Sequence, residues 1–398
     1  MSGRILENKR EKNVIMKKDF KINFAVFYIL SYAIFSFAST KFTPYLSEIG
    51  YSAFQRGFIL SGYAAATIIL QLLFGVLSDR YQTVKKLVIV SLCVYGIVSA
   101  LLFATENAAI AVYFVLVSLS GGLLNACCGV FDTWILGCRE EIRKNLSFIK
   151  TFGSIGWAAG SMAASLLISL FSYRGLGLGI AVIAVLALAN LAVLPDIEKL
   201  EARSRLSLDD FRQLMLDRRY MLLVVILTLM YSMVIANNCT VIDKMIDLQA
   251  SDAQISMKWT MQSLLEIPTY LAGSYLLARF GGLKLLRLSS VMLTLQFVLF
   301  TWAASPAVVI GASALQLFST PIILIASKIL ILEIAPEKLK NSSQLIALSI
   351  FSGVSSLVIP VAAGFLSEHI GFDLTLGCVA GLGILSFLLL WRFGRLSS

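Results

Sequence analysis

The sequence predicts an all-α membrane protein of twelve transmembrane helices in two pseudo-symmetric six-helix bundles. Three observations predict it. Of 398 residues, 58% are hydrophobic and 14% charged, with a mean hydropathy of +0.85, whereas soluble domains carry about 25% charged residues. Apolar runs of roughly 20 residues recur, each long enough to cross the ~30 Å hydrocarbon layer. A polar linker at 196–219 divides them six and six. The runs are continuous rather than alternating, which argues against a β-barrel.

The predicted spans are 23–47, 53–77, 86–105, 108–137, 147–172, 176–195, 220–248, 253–280, 284–303, 306–333, 341–367 and 372–394. The domains follow: an N-terminal tail (1–22), a first bundle (23–195), the linker (196–219) and a second bundle (220–398). Ser207 or Asp209 is placed to cap a short amphipathic helix in the linker. The first 21 residues are basic and polar and lack the apolar core of a cleavable signal.

Lys and Arg set the orientation. Seven lie in the N-terminal tail and six in the linker; others follow span two (Arg80, Lys85, Lys86), span four (Arg139, Arg143, Lys144) and span eight (Arg279, Lys284, Arg287). The opposite turns hold only Arg56, Arg174 and Lys244. Both termini are therefore expected in the cytoplasm, with the chain in the cytoplasmic membrane. The same distribution assigns the net charge of +10 to topology rather than to nucleic acid. The six cysteines lie in or beside apolar runs without C-x-x-C and read as reduced packing residues. No nucleotide loop, metal-ligand spacing or nucleophile–base pair occurs, so no cofactor, metal or enzymatic chemistry is expected.

An acid, Asp132, ends span four, and a base, Lys150, begins span five. A charged turn centred near Glu141 stands midway between them, so an antiparallel hairpin sets them at one depth. Trp157, seven residues beyond Lys150, shares its helix face. Ionisable groups within a span are costly and are functional candidates by default. The three together suit a polyhydroxylated or zwitterionic solute: the carboxylate accepts hydroxyl protons, the ammonium donates, and the indole stacks. Glu266 lies mid-span eight, with Lys258 the only nearby base in sequence. A desolvated carboxylate can hold a proton at physiological pH. The plainer reading is a hydrogen-bonded glutamate facing Asn237, Asn238 or Gln262. Lys328 is expected to snorkel toward a helix end, and Asp243 to lie as a charge at the outer interface or to mark the outer gate. Pro268, Pro321 and Pro360 are expected to break helix hydrogen bonds. His369, the only histidine, is placed in an outer loop.

A faint repeat pairs GVLSDRYQTVKK after span two with LLARFGGLK after span eight, aligning Arg80 with Arg279 and Lys85 with Lys284. Gly75, Asp79 and Arg80 followed by Lys85 resemble the cytoplasmic signature of the major facilitator superfamily, with Gln82 where the family has glycine. That resemblance implies the major facilitator fold and a latch on the cytoplasmic side involving these residues. Phe152-Gly-Ser-Ile-Gly-Trp157, preceded by Asp132 and Lys150, resembles the oligosaccharide:proton symporters of the lactose-permease type. The resemblance implies sugar binding by Asp132, Lys150 and Trp157, and proton coupling through Glu266 with Asp132. Lysine stands where the group has arginine at 150, and Gln296, Gln316 and Ser319 stand where it has Arg, His and an acid.

The expected function is secondary transport of a sugar or glycoside with a proton, by alternating access, as a monomer in the bilayer. The alternatives are an exporter, a nucleoside or aromatic-acid permease, and a membrane sensor or scaffold without flux.

Overall fold

The structure, a computed structural model, describes residues 2–81, 83–138, 140–143, 145–197, 208–336 and 339–397. Among these, regular structure is entirely helical. In chain order the helices are α1 (Ser2–Ser39), α2 (Phe42–Glu48), α3 (Ala53–Tyr81), α4 (Lys85–Ala104), α5 (Ile110–Gly137), α6 (Glu140–Arg143), α7 (Leu146–Val193) and α8 (Leu208–Leu216). There follow α9 (Arg218–Asn238), α10 (Thr240–Asp247), α11 (Asp252–Phe280), α12 (Gly282–Thr301), α13 (Pro306–Ala312), a 3-10 segment (Ser313–Phe318), α14 (Thr320–Ile334) and α15 (Lys340–Ser397).

Nine stretches among the described residues are long and apolar enough to cross a membrane. Two of them, of 46 and 50 residues, exceed twice the roughly 20 residues of one crossing. Each changes direction at one non-helical residue, Ser172 in α7 (φ 59°) and Gly371 in α15 (φ 82°). α11, with 29 residues, is long enough but more polar. These elements accommodate the twelve spans read from the sequence.

The faint repeat is written into the backbone. Ser172 and Gly371 are 199 residues apart, and so are Gly50 and Gln249, which also have positive φ. Ser52 and Gln55 cap the start of α3 reciprocally, as Ser251 and Gln254 cap α11. These pairs also match at that offset. Each reciprocal cap satisfies two otherwise orphaned donors. Arg80 lies 5.7 Å from the Tyr81 ring, as Arg279 does from Phe280. α8 occurs where an amphipathic linker helix was expected, but its suggested cap Ser207 lies outside the described residues and Asp209 falls inside the helix.

Buried residues form two clusters. One runs from Phe24 to Leu194 with Ile235 and Cys239, the other from Leu214 to Phe393. In the first, α7 lies against α1 through glycines four residues apart. A Cβ on Gly156 would stand 2.3 Å from the Ile29 carbonyl oxygen, and one on Gly160 2.6 Å from that of Ala33. With little apolar-transfer driving force between helices in lipid, such close approach supplies the packing energy. Pro268 and Pro360 lie inside α11 and α15. Pro321 instead opens α14 after the 3-10 segment, where a missing N–H costs no helix bond.

At the end of the bundle carrying Lys85, Asp196 closes the start of α4. Its carboxylate accepts from the Thr83 hydroxyl (2.5 Å) and from the backbone N–H of Val84 and Lys85 (both 3.1 Å). Burial pushes the Asp196 carboxyl up, but the hydrogen bonds from Thr83, Lys85, Ile197 and Val84 outweigh it and hold the group below its usual range. With the folded value depressed, its stabilisation is present above the ordinary carboxylate pKa of ~3.9 and is lost as pH falls through the lower folded value. Asp196→Ala is expected to cost about 1–2 kcal/mol at neutral pH, as for loss of a helix cap. Thermal unfolding in detergent checks this, and the difference from wild type should shrink as the carboxyl protonates.

Candidate functional site

α5, the short α6 and α7 form the hairpin that holds the first group. Asp132 is five residues from the end of α5 and Lys150 four residues into α7. Lys150 Nζ donates to Asp132 Oδ2 at 2.5 Å, with 43% and 34% of the two side chains exposed. Asp132 Oδ1 and the Tyr28 hydroxyl are both buried, and the two groups interact with one another.

A cavity of ≈ 760 Å³ lies beside this pair, between α7 on one side and α11 and α14 on the other. Lys150, Trp157 and Glu266 line it. Asp132 is not a wall residue; it stands behind Lys150 and reaches the cavity through that ammonium. Trp157 meets a second indole the sequence reading passed over. Trp259 of α11 also lines the cavity, edge to face with Trp157 at 6.5 Å and 61°. Its signal was available, since Trp259 lies seven residues before Glu266 and shares its helix face.

Glu266 accepts from Gln316 Nε2 at 3.1 Å, and the same nitrogen donates to Thr320 at 2.6 Å. Gln262 donates to Gln316 Oε1 at 3.3 Å. The polar chain at Glu266 therefore runs through Gln316, not Asn237 or Asn238. No base stands in ion-pair range of Glu266 among the described residues. The Ser319 hydroxyl turns back to the Gln316 carbonyl at 3.2 Å. Gln296 is fully buried, with both amide atoms unpartnered among the described residues, and is not a wall residue. Lys328, expected to snorkel toward a helix end, is exposed and lines the cavity. His369 is on α15 rather than in a loop, exposed, with Nδ1 2.8 Å from the Phe365 carbonyl.

At the Lys41 end the two clusters are bolted together. Lys41 pairs with Asp252 at 2.7 Å, and Arg56 with Asp243 at 2.7 Å, the latter pair only 8% and 7% exposed. Glu368 accepts from the Phe54 N–H at 2.8 Å. Asp243, expected at the outer interface or gate, is thus buried and paired with Arg56 of α3. Deeper in, Ser256 receives the Ser161 hydroxyl at its carbonyl, and Ser263 donates to the Ser154 carbonyl at 2.8 Å. Buried ion pairs are weak evidence for stability but strongly favour one arrangement, because separating them strands a charge in a low-dielectric site.

The expected latch residues sit at the other end. Lys85 Nζ caps carbonyls of Ala192 (3.1 Å) and Leu194 (2.6 Å), within its own half. Arg80 is exposed, Gly75 is half-buried, and the side chain of Asp79 lies outside the described residues. The cavity extends toward this end, reaching Leu146, Leu277 and Ile329.

Maltose permease of Geobacillus stearothermophilus is 24% identical over 355 residues, covering 88% of each chain. Two structures of the nucleoside transporter NupG, one a point mutant, align with TM-scores of 0.81 and 0.78 at 15% and 16% identity, over 94% of this chain and 99% of theirs. A bacterial homologue of the human lysosomal transporter Spinster aligns at 0.74 and 9% identity, covering 96% of this chain and 97% of its own. At these identities the structures speak for the fold alone. Residues 21–375 match the profile of the MFS_1 like family, and the chain therefore belongs to that family of major facilitator transporters.

Proposed function

We propose that this transporter moves a sugar or glycoside together with a proton across the cytoplasmic membrane, by alternating access. One observation carries the reading: a cavity between the halves, sealed at the Lys41 end, presents the Lys150 ammonium, backed by Asp132, and the Trp157 indole on one side, facing a second indole, Trp259, and a carboxyl group without a base on the other. Lys150 donates to solute oxygens, Asp132 holds it in place, and Trp157 packs on the ring face. The 24% identical maltose permease supports the sugar class. Residues 23–195 and 220–398 move as two bodies. The excess of Lys and Arg at the Lys85 end orients that end to the cytoplasm, which makes the present arrangement inward-open. The Lys41–Asp252 and Arg56–Asp243 pairs break when the outer end opens.

Glu266 carries the proton. It faces the cavity with only neutral hydrogen-bond partners among the described residues, so a proton neutralises it before occlusion. Solute and proton then stabilise the same closed state, which couples them. A second reading, a nucleoside permease, draws on Trp259, which offers a planar base a second aromatic contact.

The test is uptake of labelled sugars and nucleosides by vesicles, with and without an imposed proton gradient. Accumulation above equilibrium is expected only with the gradient. Glu266→Gln should abolish accumulation yet keep solute exchange across the membrane. Equal uptake with and without the gradient would refute coupling, and accumulation of nucleosides alone would favour the second reading.

A further inference from the structure

Lys328 is a charge that the proposed function leaves unused. It stands on α14, in the second half, and lines the cavity opposite the Asp132–Lys150 pair. It is near enough to feel both Lys150 and Asp132 electrostatically. No carboxylate lies within ion-pair range of it among the described residues. The groups facing it can be named by element. α5 contributes Asp132, which is already held by Lys150 of α7. α11 contributes Glu266, which is held by Gln316. α15 contributes Gln344, whose amide donates to the Lys328 carbonyl at 3.4 Å. On its own helix Glu333, five residues on, is turned ~140° around the axis.

Resting on the transport reading above, we infer that the solute carries one acidic group, held between Lys150 of the first half and Lys328 of the second.

The reasoning is a balance of charge. With Glu266 protonated, Lys150 and Lys328 face a single carboxylate, Asp132, at this end of the cavity. One positive charge is then uncompensated. While the cavity is open to water this costs little. When this end closes, two ammonium groups from opposite halves approach in a medium that screens them poorly, and the repulsion opposes closure. A carboxylate or phosphate on the solute, seated between them, turns that repulsion into two charge-assisted hydrogen bonds. The matched pair at Lys150 alone favours neutral solutes, so it is Lys328 that shifts the preference.

The experiment measures binding to the purified full-length protein, by quenching of indole fluorescence, for two matched pairs of probes. These are methyl β-glucoside with methyl β-glucuronide, and uridine with uridine 5′-monophosphate. The charged member of whichever pair binds should bind at least ~10-fold more tightly. Lys328→Gln should bring that ratio close to one, and Lys328→Arg should keep it. In the wild-type protein the preference should also fall as salt is raised from ~0.01 to ~1 M, over which the screening length drops about tenfold; this readout needs no variant. Equal binding within a pair, or a ratio unchanged in Lys328→Gln, overturns the inference and leaves the transport reading intact. Failure of all four probes to bind overturns both.

Discussion

Asp132→Asn is expected to lower solute uptake about 100-fold with the protein still folded in the membrane. The exchange keeps the shape of the side chain and removes only its charge. Lys150 Nζ then loses the carboxylate that holds it at 2.5 Å and is left to the repulsion of Lys328. A charge-assisted hydrogen bond contributes about 1.5–3 kcal/mol, and every 1.4 kcal/mol is about tenfold in affinity. The structural cost should be small by comparison, because both side chains are more than a third exposed and such pairs add little to stability. Uptake of a labelled solute, normalised to the amount of protein in the same vesicles, checks the prediction. A sensor or scaffold without flux would show no such change.

Gly57→Val is expected to abolish uptake by a different route, with solute binding retained. Gly57 is on α3, where it meets α15 at the Lys41 end. A Cβ there would stand 2.0 Å from the carbonyl oxygen of Pro360. That neighbour is backbone and cannot swing away. Nearby, a Cβ on Gly364 would stand 2.5 Å from the Ala53 carbonyl oxygen, so both helices approach at backbone distance. A branched side chain wedges them apart, the Arg56–Asp243 pair cannot form, and the outer end stays open. Binding from the outside should persist while transfer inward is lost. Gly311→Ala is the control, since a Cβ there has nothing within 4 Å. Uptake and binding measured on the same preparation distinguish this block from simple misfolding.

What could be read from the sequence divides by distance along the chain. Hydropathy located the spans because a membrane helix satisfies its own backbone and must be apolar over its length. The reversals at Ser172 and Gly371 fell where short polar breaks interrupt apolar runs. Asp132 and Lys150 were legible as a pair because eighteen residues and one tight turn separate them. The pairs Lys41–Asp252 and Arg56–Asp243 join residues 211 and 187 apart, and nothing local relates such residues. A trace existed all the same: Lys41 interrupts an apolar run, which is costly without a partner. That Lys328 lines the cavity is not legible in the sequence, because a long side chain near a helix end can reach either way. Only the packing of α14 decides that it faces the cavity. Gln316 was noted as a departure from the resembled group, but its bond to Glu266 depends on the 3-10 turn that precedes α14.

The most direct measurement is the structure of the protein with a transported solute bound. The solute should lie in the cavity between the halves, with an oxygen within hydrogen-bond distance of Lys150 Nζ and its ring against Trp157. Solute found at another place in the molecule, with Lys150 still paired only to Asp132 and Trp157 untouched, would contradict the site proposed here.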